Sequence, residues 1–392
     1  MDLDALKARM RARVDELSDV LVDVAHQIHE HPELGYEEHF AHGLLTSVLE
    51  REGVEVAGGA YDLPTAFEAR AGTEGPTVAI CCEYDALPGI GHACGHNVIA
   101  AAGLGAGLAL AAASGDAGGQ VRILGTPAEE GGAGKVLLAE RGAFEGVDAA
   151  MMVHPAGADL ATMDAIAASL MEATYHGRAA HAAASPHLGR NALDAAVLGY
   201  VNVAALRQHI QSTERVHGVF TRGGDKANIV PDLAAMDWMV RSPRAASLAP
   251  LRERVVACLQ AGAAAAGCRF EHRVVSRDYA DMIDNPVLVD LYAANSAALG
   301  RPLARTAPAD VRVVGSTDMG NVSYLVPSIH PMIKVAPAGT SIHCQAFAEH
   351  ARSPAGDRAV VDGAKAMAMT VADLWARPGA LGEVQAAFDP RR

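Results

Sequence analysis

The chain has 392 residues, of which 50% are hydrophobic and 20% are charged, a composition that excludes a disordered protein and leaves room for two domains. Its 46 acidic and 32 basic residues give a formal charge of −14, and without a cluster of Lys or Arg this argues against nucleic acid or an anionic membrane as a partner. A small-molecule substrate is expected.

The N-terminus, the apolar stretches and the cysteines bear on the cellular compartment. The first residues lack the basic start and apolar core of a secretory signal, and the most apolar stretch, Val98–Ala113, is short and rich in Ala and Gly, which favours a buried helix over a membrane span. Six cysteines, two of them adjacent in a predicted buried strand, do not form a disulfide framework. A cytoplasmic protein is expected.

Apolar periodicity predicts helices in the first 52 residues and alternating strands and helices after them. The helical pattern breaks around Pro32 and Gly35, where His29 and His31 lie in a turn beside four carboxylates and are interpreted as solvated surface rather than as ligands. The next predicted strands, each ending in polar residues, are 77–82, 120–125 and 147–153. An α/β domain with a central sheet is therefore predicted, with functional groups where the strands end.

The pattern changes near residue 168, where an insert begins. Its predicted elements follow the order βαββαβ, with strands at 169–175, 216–222, 234–241 and 269–275 and helices at 191–210 and 247–266. An insert of about 110 residues in this order resembles a ferredoxin-like sandwich. Helix–strand alternation resumes after Pro286 and ends in a helix near 358–376, so the first domain is predicted to be split in sequence.

The stretch Glu83–Asn97 reads as a loop between a buried strand and a buried helix, and it is rich in metal-ligand residue types. Its glycines let the backbone fold around a small object, and its candidate ligands are Asp85, His92, Cys94 and His96. A Cys-x-His pair by itself is equally compatible with core packing. A metal is favoured because further candidates follow other predicted strands, namely Glu129, Glu130, His154 and His343.

Glu129 and Glu130 are adjacent, so in an extended segment their side chains point apart and one can bind metal while the other accepts a proton from water. The alternative is a solvated acidic turn. The residues counted as ligands are Cys94, His96, Glu130, His154 and His343. Five ligands exceed what one tetrahedral catalytic ion takes, whereas two ions that share a ligand would use all of them.

These motifs resemble the dinuclear zinc peptidase family of aminoacylases, hippurate and indole-acetyl-amino-acid amidohydrolases, and glutamate carboxypeptidases. The resemblance covers nearly the whole chain and rests on Asp85-Ala-Leu-Pro, Gly91-His-Ala-Cys-Gly-His96, Pro127-Ala-Glu-Glu-Gly131, Val153-His-Pro155, Ala180-His-Ala-Ala-Ala-Ser-Pro-His187 and Ala227-Asn-Ile-Val-Pro-Asp232. The segments Cys82–His92 and Ser316–Asn321 are most similar to the aminoacylase-1-like protein 2 group, associated with β-alanyl-lysine dipeptidase activity, and the p-aminobenzoyl-glutamate hydrolase group is a near relative.

The resemblance implies a fold and two domains. It implies an α/β, phosphorylase/hydrolase-like dinuclear-metal catalytic domain made of residues 1–173 and 285–392. An inserted α+β ferredoxin-like domain, residues 174–284, would act as a lid and dimerisation domain. A homodimer formed through the lid domain is therefore expected.

The resemblance also implies roles for single residues. The five residues counted above would bind two divalent ions, Zn²⁺ first with Mn²⁺ or Co²⁺ as alternatives, and Glu129 would be the general base. His181 would stabilise the oxyanion in the partner's site. Asn228 and Arg241 would bind the substrate carboxylate, although from the residues alone a lid histidine is more often structural and a strand arginine more often forms a local ion pair.

The function implied is metal-dependent hydrolysis of the amide bond of an N-acyl amino acid or dipeptide, or, as an alternative, of p-aminobenzoyl-glutamate or another aryl- or acyl-amino acid. Two other classes of function are alternatives to this hydrolase. A cysteine hydrolase would use Cys94 as nucleophile but would need a better placed base than His96. A catalytically inactive metal-binding scaffold would have no use for Glu129 beside Glu130.

Two positions depart from the family pattern. Asn97 stands where much of the amidohydrolase branch has Asp, and an Asn can orient a histidine but lacks the charge that raises ligand basicity. Cys344 follows His343 and is interpreted as buried filler, with an extra soft ligand as the alternative.

Overall fold

The computed structural model describes residues 2–305 and 314–389, with the Val314 side chain excepted. The helices of these residues are α1 (Leu3–Glu16), α2 (Ser18–Glu30), α3 (His39–Arg51), α4 (His96–Ala117), α5 (Glu129–Gly132), α6 (Gly134–Glu140), α7 (Ala192–Leu206), α8 (Ala245–Ala266), α9 (Pro286–Ala298), α10 (Met319–Ser323), α11 (Gln345–Ala351), α12 (Pro354–Ala376) and α13 (Ala380–Ala386). The strands are β1 (Val56–Gly58), β2 (Phe67–Ala71), β3 (Thr77–Cys82), β4 (Gln120–Gly125), β5 (Ala149–Met151), β6 (His154–Ala156), β7 (Asp164–Ala165), β8 (Ala167–His176), β9 (Arg215–Arg222), β10 (Leu233–Ser242), β11 (Arg269–Val274), β12 (Val314–Gly315), β13 (Ser328–Ile329) and β14 (Met332–Lys334).

The chain separates into two compact units, Met1–Asp164 with Met282–Arg392, and Ala165–Asp281. The second unit begins earlier than the predicted insert, 174–284. The reason is β8, which pairs along its whole length with β10 and therefore belongs entirely to the sheet of the second unit.

The first unit contains a six-stranded sheet in the order β1-β2-β4-β3-β5-β13. Strands β3, β4, β5 and β13 run parallel, and β2 joins β4 antiparallel at one side. Residues of β3 alternate between two buried clusters: Val78 and Ile80 face one, and Ala79 and Cys81 face the other. Burial on both faces explains why 77–82 reads as a continuous apolar run.

Helix α4 is the central helix of the first unit and packs against α1, α2, α12 and strands β3 and β4. Its length and composition would suffice to cross a membrane, yet 83% of its most apolar window is buried in the unit, as expected for a core helix. Small residues allow this close packing: a Cβ on Gly107 would lie 2.5 Å from Cδ1 of Ile123. Ala and Gly therefore dominate α4 for reasons of space.

The second unit has the order β8-α7-β9-β10-α8-β11, which is the predicted βαββαβ order. Its antiparallel sheet is ordered β11-β8-β10-β9, and α7 packs against α8. Even positions of β10 are buried and odd ones are not, with Trp238 at the centre of the core. This alternation is that of a sheet with one covered face.

Candidate metal centre

The candidate ligands lie at one edge of the central sheet, where its parallel strands end. The loop after β3 carries Cys94 and leads into α4 at His96, the turn after β4 carries Glu130, and His154 begins β6 shortly after β5 ends. His343 reaches the same place because its backbone N–H donates to the carbonyl oxygen of Ala93 at 2.9 Å. The carboxyl ends of parallel strands meet at a sheet edge, as expected from the sequence.

Two donor groups that share Cys94 contain all five residues counted as ligands. One group is Cys94, His96 and His154, and the other is Cys94, Glu130 and His343; within each, the donor atoms lie within 4.8 Å of one another. The first group is buried, whereas 46% of the His343 side chain is exposed. A shared thiol between two groups is the arrangement that two ions with a common ligand require.

The loop around Cys94 packs tightly against the strand that carries His154. Gly95 has φ 83°, and a Cβ at this position would lie 2.9 Å from Cγ of Pro155. Both the left-handed backbone and the lack of space require glycine between the two candidate ligands. Cys94 Sγ thereby approaches His154 Nε2 to 3.4 Å.

The turn that carries the two glutamates is anchored by buried Glu38. One Glu38 oxygen accepts a hydrogen bond from the backbone N–H of Ala128 at 2.8 Å, and the other accepts one from the Thr65 hydroxyl at 2.7 Å. Ala128 has φ 57°, an uncommon value for a residue with a side chain. The strained residue immediately precedes Glu129, which is typical of functional turns.

Glu129 and Glu130 differ in environment although they are adjacent. Burial, then the charges of Glu83 and Glu130, raise the pKa of Glu129 well above its usual value. Burial also raises the pKa of Glu130, but its hydrogen bond with His343 and the charge of His96 outweigh this and lower it. Adjacent carboxyl groups whose pKa values move apart are suited to different roles, Glu130 as an ionised ligand and Glu129 as a proton acceptor.

The residues present fit divalent metal ions. Asp85 Oδ1 lies 2.9 Å from His96 Nδ1, which directs the other ring nitrogen, Nε2, into the donor group. That buried Nε2 has no hydrogen bond of regular geometry with the described residues. One thiol, three imidazoles and a carboxylate form a donor set suited to zinc and related transition metals.

Asn97 and Cys344 lie outside the donor groups. Asn97 donates through Nδ2 to the carbonyl oxygens of Ala25 and Ala351, both at 3.2 Å, so the group that contacts the histidine is Asp85 and not Asn97. Cys344 is half-buried and donates to the carbonyl oxygen of Ser341 at 3.0 Å. The interpretation of Cys344 as buried filler stays a prediction, because its side chain is only half-buried.

Three further histidines, His29, His31 and His92, also lie outside the donor groups. His29 contacts the carbonyl oxygen of Ala348 at 2.8 Å, and exposed His31 stacks on Phe40. His92 is buried near His29, with ring centroids 6.0 Å apart, and burial lowers its pKa to about 3. Among the described residues, none of the three belongs to a metal-capable group.

The second unit carries the other predicted site residues. The His181 side chain is exposed, and its Nδ1 accepts hydrogen bonds from the backbone N–H groups of Ala183 and Ala184 at 3.2 and 3.1 Å. Because Nδ1 is an acceptor, the proton of the neutral ring lies on Nε2, which can donate to a substrate oxygen. The nearby segment is paired with this loop, since the carbonyl oxygen of Asn228 accepts a hydrogen bond from Ala182.

Arg241 lies in β10, opposite Ala168 of β8 and Arg215 of β9. It is half-buried, and its Nε atom is buried without a hydrogen-bond partner among the described residues. The local ion pair considered for a strand arginine is therefore not found in the described part of the chain. An arginine whose Nε donor is unsatisfied is suited to a carboxylate.

Sequence reasoning missed a buried charged cluster behind Glu129. Lys135 Nζ lies 2.5 Å from Glu83 Oε1 and 2.6 Å from Asp318 Oδ1, and all three side chains are fully buried. Burial lowers the pKa of Lys135, but Asp318 and Glu83 raise it well above its usual value. The only sequence signal was that Glu83 and Asp318 lie in motifs that carried the family resemblance.

Comparisons with known proteins identify the family of the chain. Residues 79–373 match the model of peptidase family M20/M25/M40. The chain is 40% identical over 401 residues to the Xaa-Arg dipeptidase of Mus musculus, with 99% of this chain and 93% of that protein covered. It is 29% identical over 435 residues to a subunit of the p-aminobenzoyl-glutamate hydrolase of Escherichia coli (strain K12), with 93% and 90% covered.

A solved structure has the same fold. The YXEP protein of Bacillus subtilis, a dinuclear metal-binding peptidase of the M20 family, matches with a TM-score of 0.66 and 21% identity over 92% of this chain and 99% of that one. The family model and the 40% identical relative both span most of the sequence. The chain therefore belongs to peptidase family M20/M25/M40.

Proposed function

We propose that this protein is a metal-dependent hydrolase that cleaves the amide bond of an N-acyl amino acid or dipeptide. The observation that carries the proposal is the pair of donor groups that share Cys94, with Glu129 beside them and outside both. The proposed ligands are Cys94, His96, Glu130, His154 and His343. Two bound ions, Zn²⁺ first with Mn²⁺ or Co²⁺ as alternatives, would polarise the scissile carbonyl and lower the pKa of the attacking water.

The residues of the chain supply the proton transfers. Glu129 accepts a proton from the attacking water and delivers it to the leaving amine, a role that its buried position and raised pKa favour. His181 donates from Nε2 to the oxygen that becomes negative as the carbonyl is attacked. Asn228 and Arg241 bind the free carboxylate of the substrate.

The mouse relative acts on Xaa-Arg dipeptides by its name, which suggests a dipeptide with a cationic C-terminal residue as the substrate here. The formal charge of −14 supports this choice, because a negative protein attracts cationic substrates. The Escherichia coli relative supports p-aminobenzoyl-glutamate as the second candidate. The two substrates differ in the charge of the amino acid side chain, so a direct comparison separates them.

The insert is proposed to be a lid and a homodimerisation domain. Strand β9 lies at an edge of the sheet and exposes Val219 and Phe220, which are 62% and 43% accessible. Phe220 stacks on Tyr200 of α7, a helix that exposes Val197 and Val201. An apolar edge strand that continues onto an apolar helix is suited to pairing with a second copy. A cytoplasmic location stays a prediction from the sequence.

The cysteine hydrolase remains a rival because the fold places His154, and not only His96, beside Cys94. The protonation states of the two side chains oppose this rival. Burial, then the charge of Glu130, raises the pKa of the Cys94 thiol well above its usual value. Burial lowers the pKa of His154 to about 4. A neutral thiol beside a neutral imidazole is a weak nucleophile. Hydrolysis that continues in a chelator and stops with iodoacetamide would favour this rival.

The decisive experiment is elemental analysis of protein purified without chelator, coupled to an amine-release assay. The substrate panel contains an Xaa-Arg dipeptide, β-alanyl-lysine, N-acetyl amino acids, hippurate and p-aminobenzoyl-glutamate. Two equivalents of Zn or Mn per chain and turnover that a chelator abolishes are expected. Metal without turnover on any substrate would leave a metal-binding scaffold, and turnover without metal would refute the proposal.

A further inference from the structure

The buried lysine behind the proposed metal centre fills a position that resembles a cation site. Glu83, Glu129 and Asp318 each offer an oxygen, and these oxygens lie within 4.8 Å of one another. All three carboxyl groups are buried. Such a carboxylate cage has the donor chemistry of a hard divalent ion.

The Lys135 ammonium already occupies this cage. Nζ contacts Glu83 and Asp318 at 2.5 and 2.6 Å, and it interacts electrostatically with Glu129. The backbone N–H of Lys135 also donates to the second oxygen of Asp318 at 2.8 Å. Both oxygens of Asp318 therefore bind one residue, and the lysine is fixed at its backbone and at its tip.

Glu129 has access to two possible cation sites. It is a member of the cage, and it also forms a donor group with His96 and Glu130, in which the distance from Glu129 Oε2 to His96 Nε2 is 3.9 Å. A carboxylate that binds a divalent ion on its other side is a weaker general base, because the charge of the ion lowers the pKa of the carboxyl group. The reaction therefore depends on keeping metal out of the cage.

We infer that Lys135 is a positioning residue whose ammonium stands in for a third divalent ion among Glu83, Glu129 and Asp318, and so reserves Glu129 for proton transfer. The inference rests on the proposed function, because it assumes two ions at the Cys94 centre. An ammonium suits this task better than a divalent ion because it carries one positive charge instead of two and therefore lowers the basicity of Glu129 less. It also limits the number of bound ions to two.

The test compares Lys135→Met with Lys135→Arg, which keeps the charge, and with Lys334→Met, which changes an exposed lysine of the same unit. Each protein is first loaded with Zn²⁺, freed of excess ion, and then titrated with Mn²⁺, which prefers oxygen ligands. Bound Mn²⁺ is counted by electron paramagnetic resonance and elemental analysis, and kcat and KM are measured in parallel.

Lys135→Met is expected to bind one Mn²⁺ per chain beyond the wild-type number, and Mn²⁺ is expected to raise its thermal unfolding temperature more than that of the wild type. Its kcat is expected to fall about 100-fold or more with KM nearly unchanged, because the proton acceptor becomes a ligand. Lys135→Arg and Lys334→Met should keep the wild-type ion count.

Two results would overturn the inference. One is a folded Lys135→Met protein with the wild-type ion count at saturating Mn²⁺. The other is a Lys135→Met protein that stays unfolded in Mn²⁺, because a divalent ion then cannot replace the ammonium. Failure of the proposed function is recognised separately, since the wild type itself would then bind no Zn²⁺ or would turn over no substrate of the panel.

Discussion

The carboxylate of Asp85 joins His96 to the glutamate turn: Oδ1 lies 2.9 Å from His96 Nδ1, and Oδ2 accepts a hydrogen bond from the backbone N–H of Glu130 at 2.8 Å. One buried side chain thereby fixes an imidazole and the turn that carries both glutamates. Burial lowers the pKa of His96, but the charge of Asp85 and its hydrogen bond outweigh burial and raise this pKa well above its usual value. Asp85 therefore has the orienting role that the sequence suggested for Asn97.

Asp85→Asn is expected to weaken metal binding. The loss of the orienting charge should reduce metal affinity about 10- to 100-fold. Competition with a chromophoric chelator measures this affinity. Asn97→Asp is the matched control: it places a carboxylate against the carbonyl oxygens of Ala25 and Ala351 and should lower the free energy of unfolding rather than change metal affinity. Equal metal affinity in wild type and Asp85→Asn would contradict the assignment.

Glu129→Gln is expected to abolish proton transfer without loss of metal. Gln preserves the shape of the side chain but cannot accept the proton, so kcat should fall about 10²- to 10⁴-fold. Elemental analysis should still find the wild-type metal content, because Glu129 is outside both groups that share Cys94. Glu145→Gln, an exposed change in the same unit, is the control. A Glu129→Gln enzyme with wild-type kcat would rule out the general base.

Cys94→Ala is expected to reduce metal content at both ions, because Cys94 is common to both donor groups. Cys344→Ala removes the neighbouring thiol, whose Sγ donates to a backbone carbonyl, and should leave the metal content unchanged. Elemental analysis of the two variants side by side distinguishes a shared ligand from packing. Loss of metal in Cys344→Ala would instead identify this residue as the soft ligand.

A mixture of inactive variants tests His181 and the dimer together. His181→Ala alone should lower kcat about 10²- to 10³-fold, since it removes an oxyanion donor. If His181 acts in the partner's site, mixed dimers of His181→Ala and Glu129→Gln protomers contain one intact site, and activity should return after the two are unfolded and refolded together. The same variants refolded separately are the control. No recovery in a proven mixed dimer would place His181 in its own protomer's site or outside catalysis.

Asp284 is expected to make stability depend on pH. Burial raises its pKa from 3.8 to about 7, with the charge of Asp164 adding to this and a backbone hydrogen bond from His330 opposing it. A folded-state pKa above the unfolded value means that the stabilisation is fully present below pH 3.8 and is lost as the pH rises to about 7. Urea unfolding of the wild type should show this decrease, and Asp284→Asn should flatten it.

An exposed substitution, Asp62→Asn, controls for the change of charge. It should leave the decrease between these pH values in place. An unchanged pH dependence in Asp284→Asn would mean that another group is responsible.

Much of the site could be predicted because each candidate ligand follows an apolar strand or opens the helix after one. Strands β3 and β4 were predicted with their observed bounds, 77–82 and 120–125, since apolar runs between turn residues mark buried parallel strands. Strand β5, Ala149–Met151, was predicted as the longer element 147–153 because the apolar run continues past its end, and β6, His154–Ala156, was not predicted. Features that depend on local pattern were therefore predictable.

The buried charged cluster of Glu83, Lys135 and Asp318 could not be predicted from local pattern. Lys135 and Asp318 are 183 residues apart and meet only in the folded chain. A lysine beside apolar residues reads as helix surface, because lysine is rarely buried without partners. Asp85 was recognised as a loop carboxylate, yet its hydrogen bond with the backbone of Glu130 joins residues 45 apart in sequence. Contacts of this kind are set by topology and not by spacing.

The unequal burial of the two donor groups has a kinetic consequence. Both groups contain Cys94. The first also contains buried His154, whereas the second contains half-exposed His343, whose backbone has φ 62°. An ion held by the group that contains His343 would be the more accessible to solvent, because His343 is exposed whereas Cys94, His96 and His154 are buried. Ion exchange should therefore be sequential, with the outer ion leaving first and the inner ion retained as a slowly exchanging occupant.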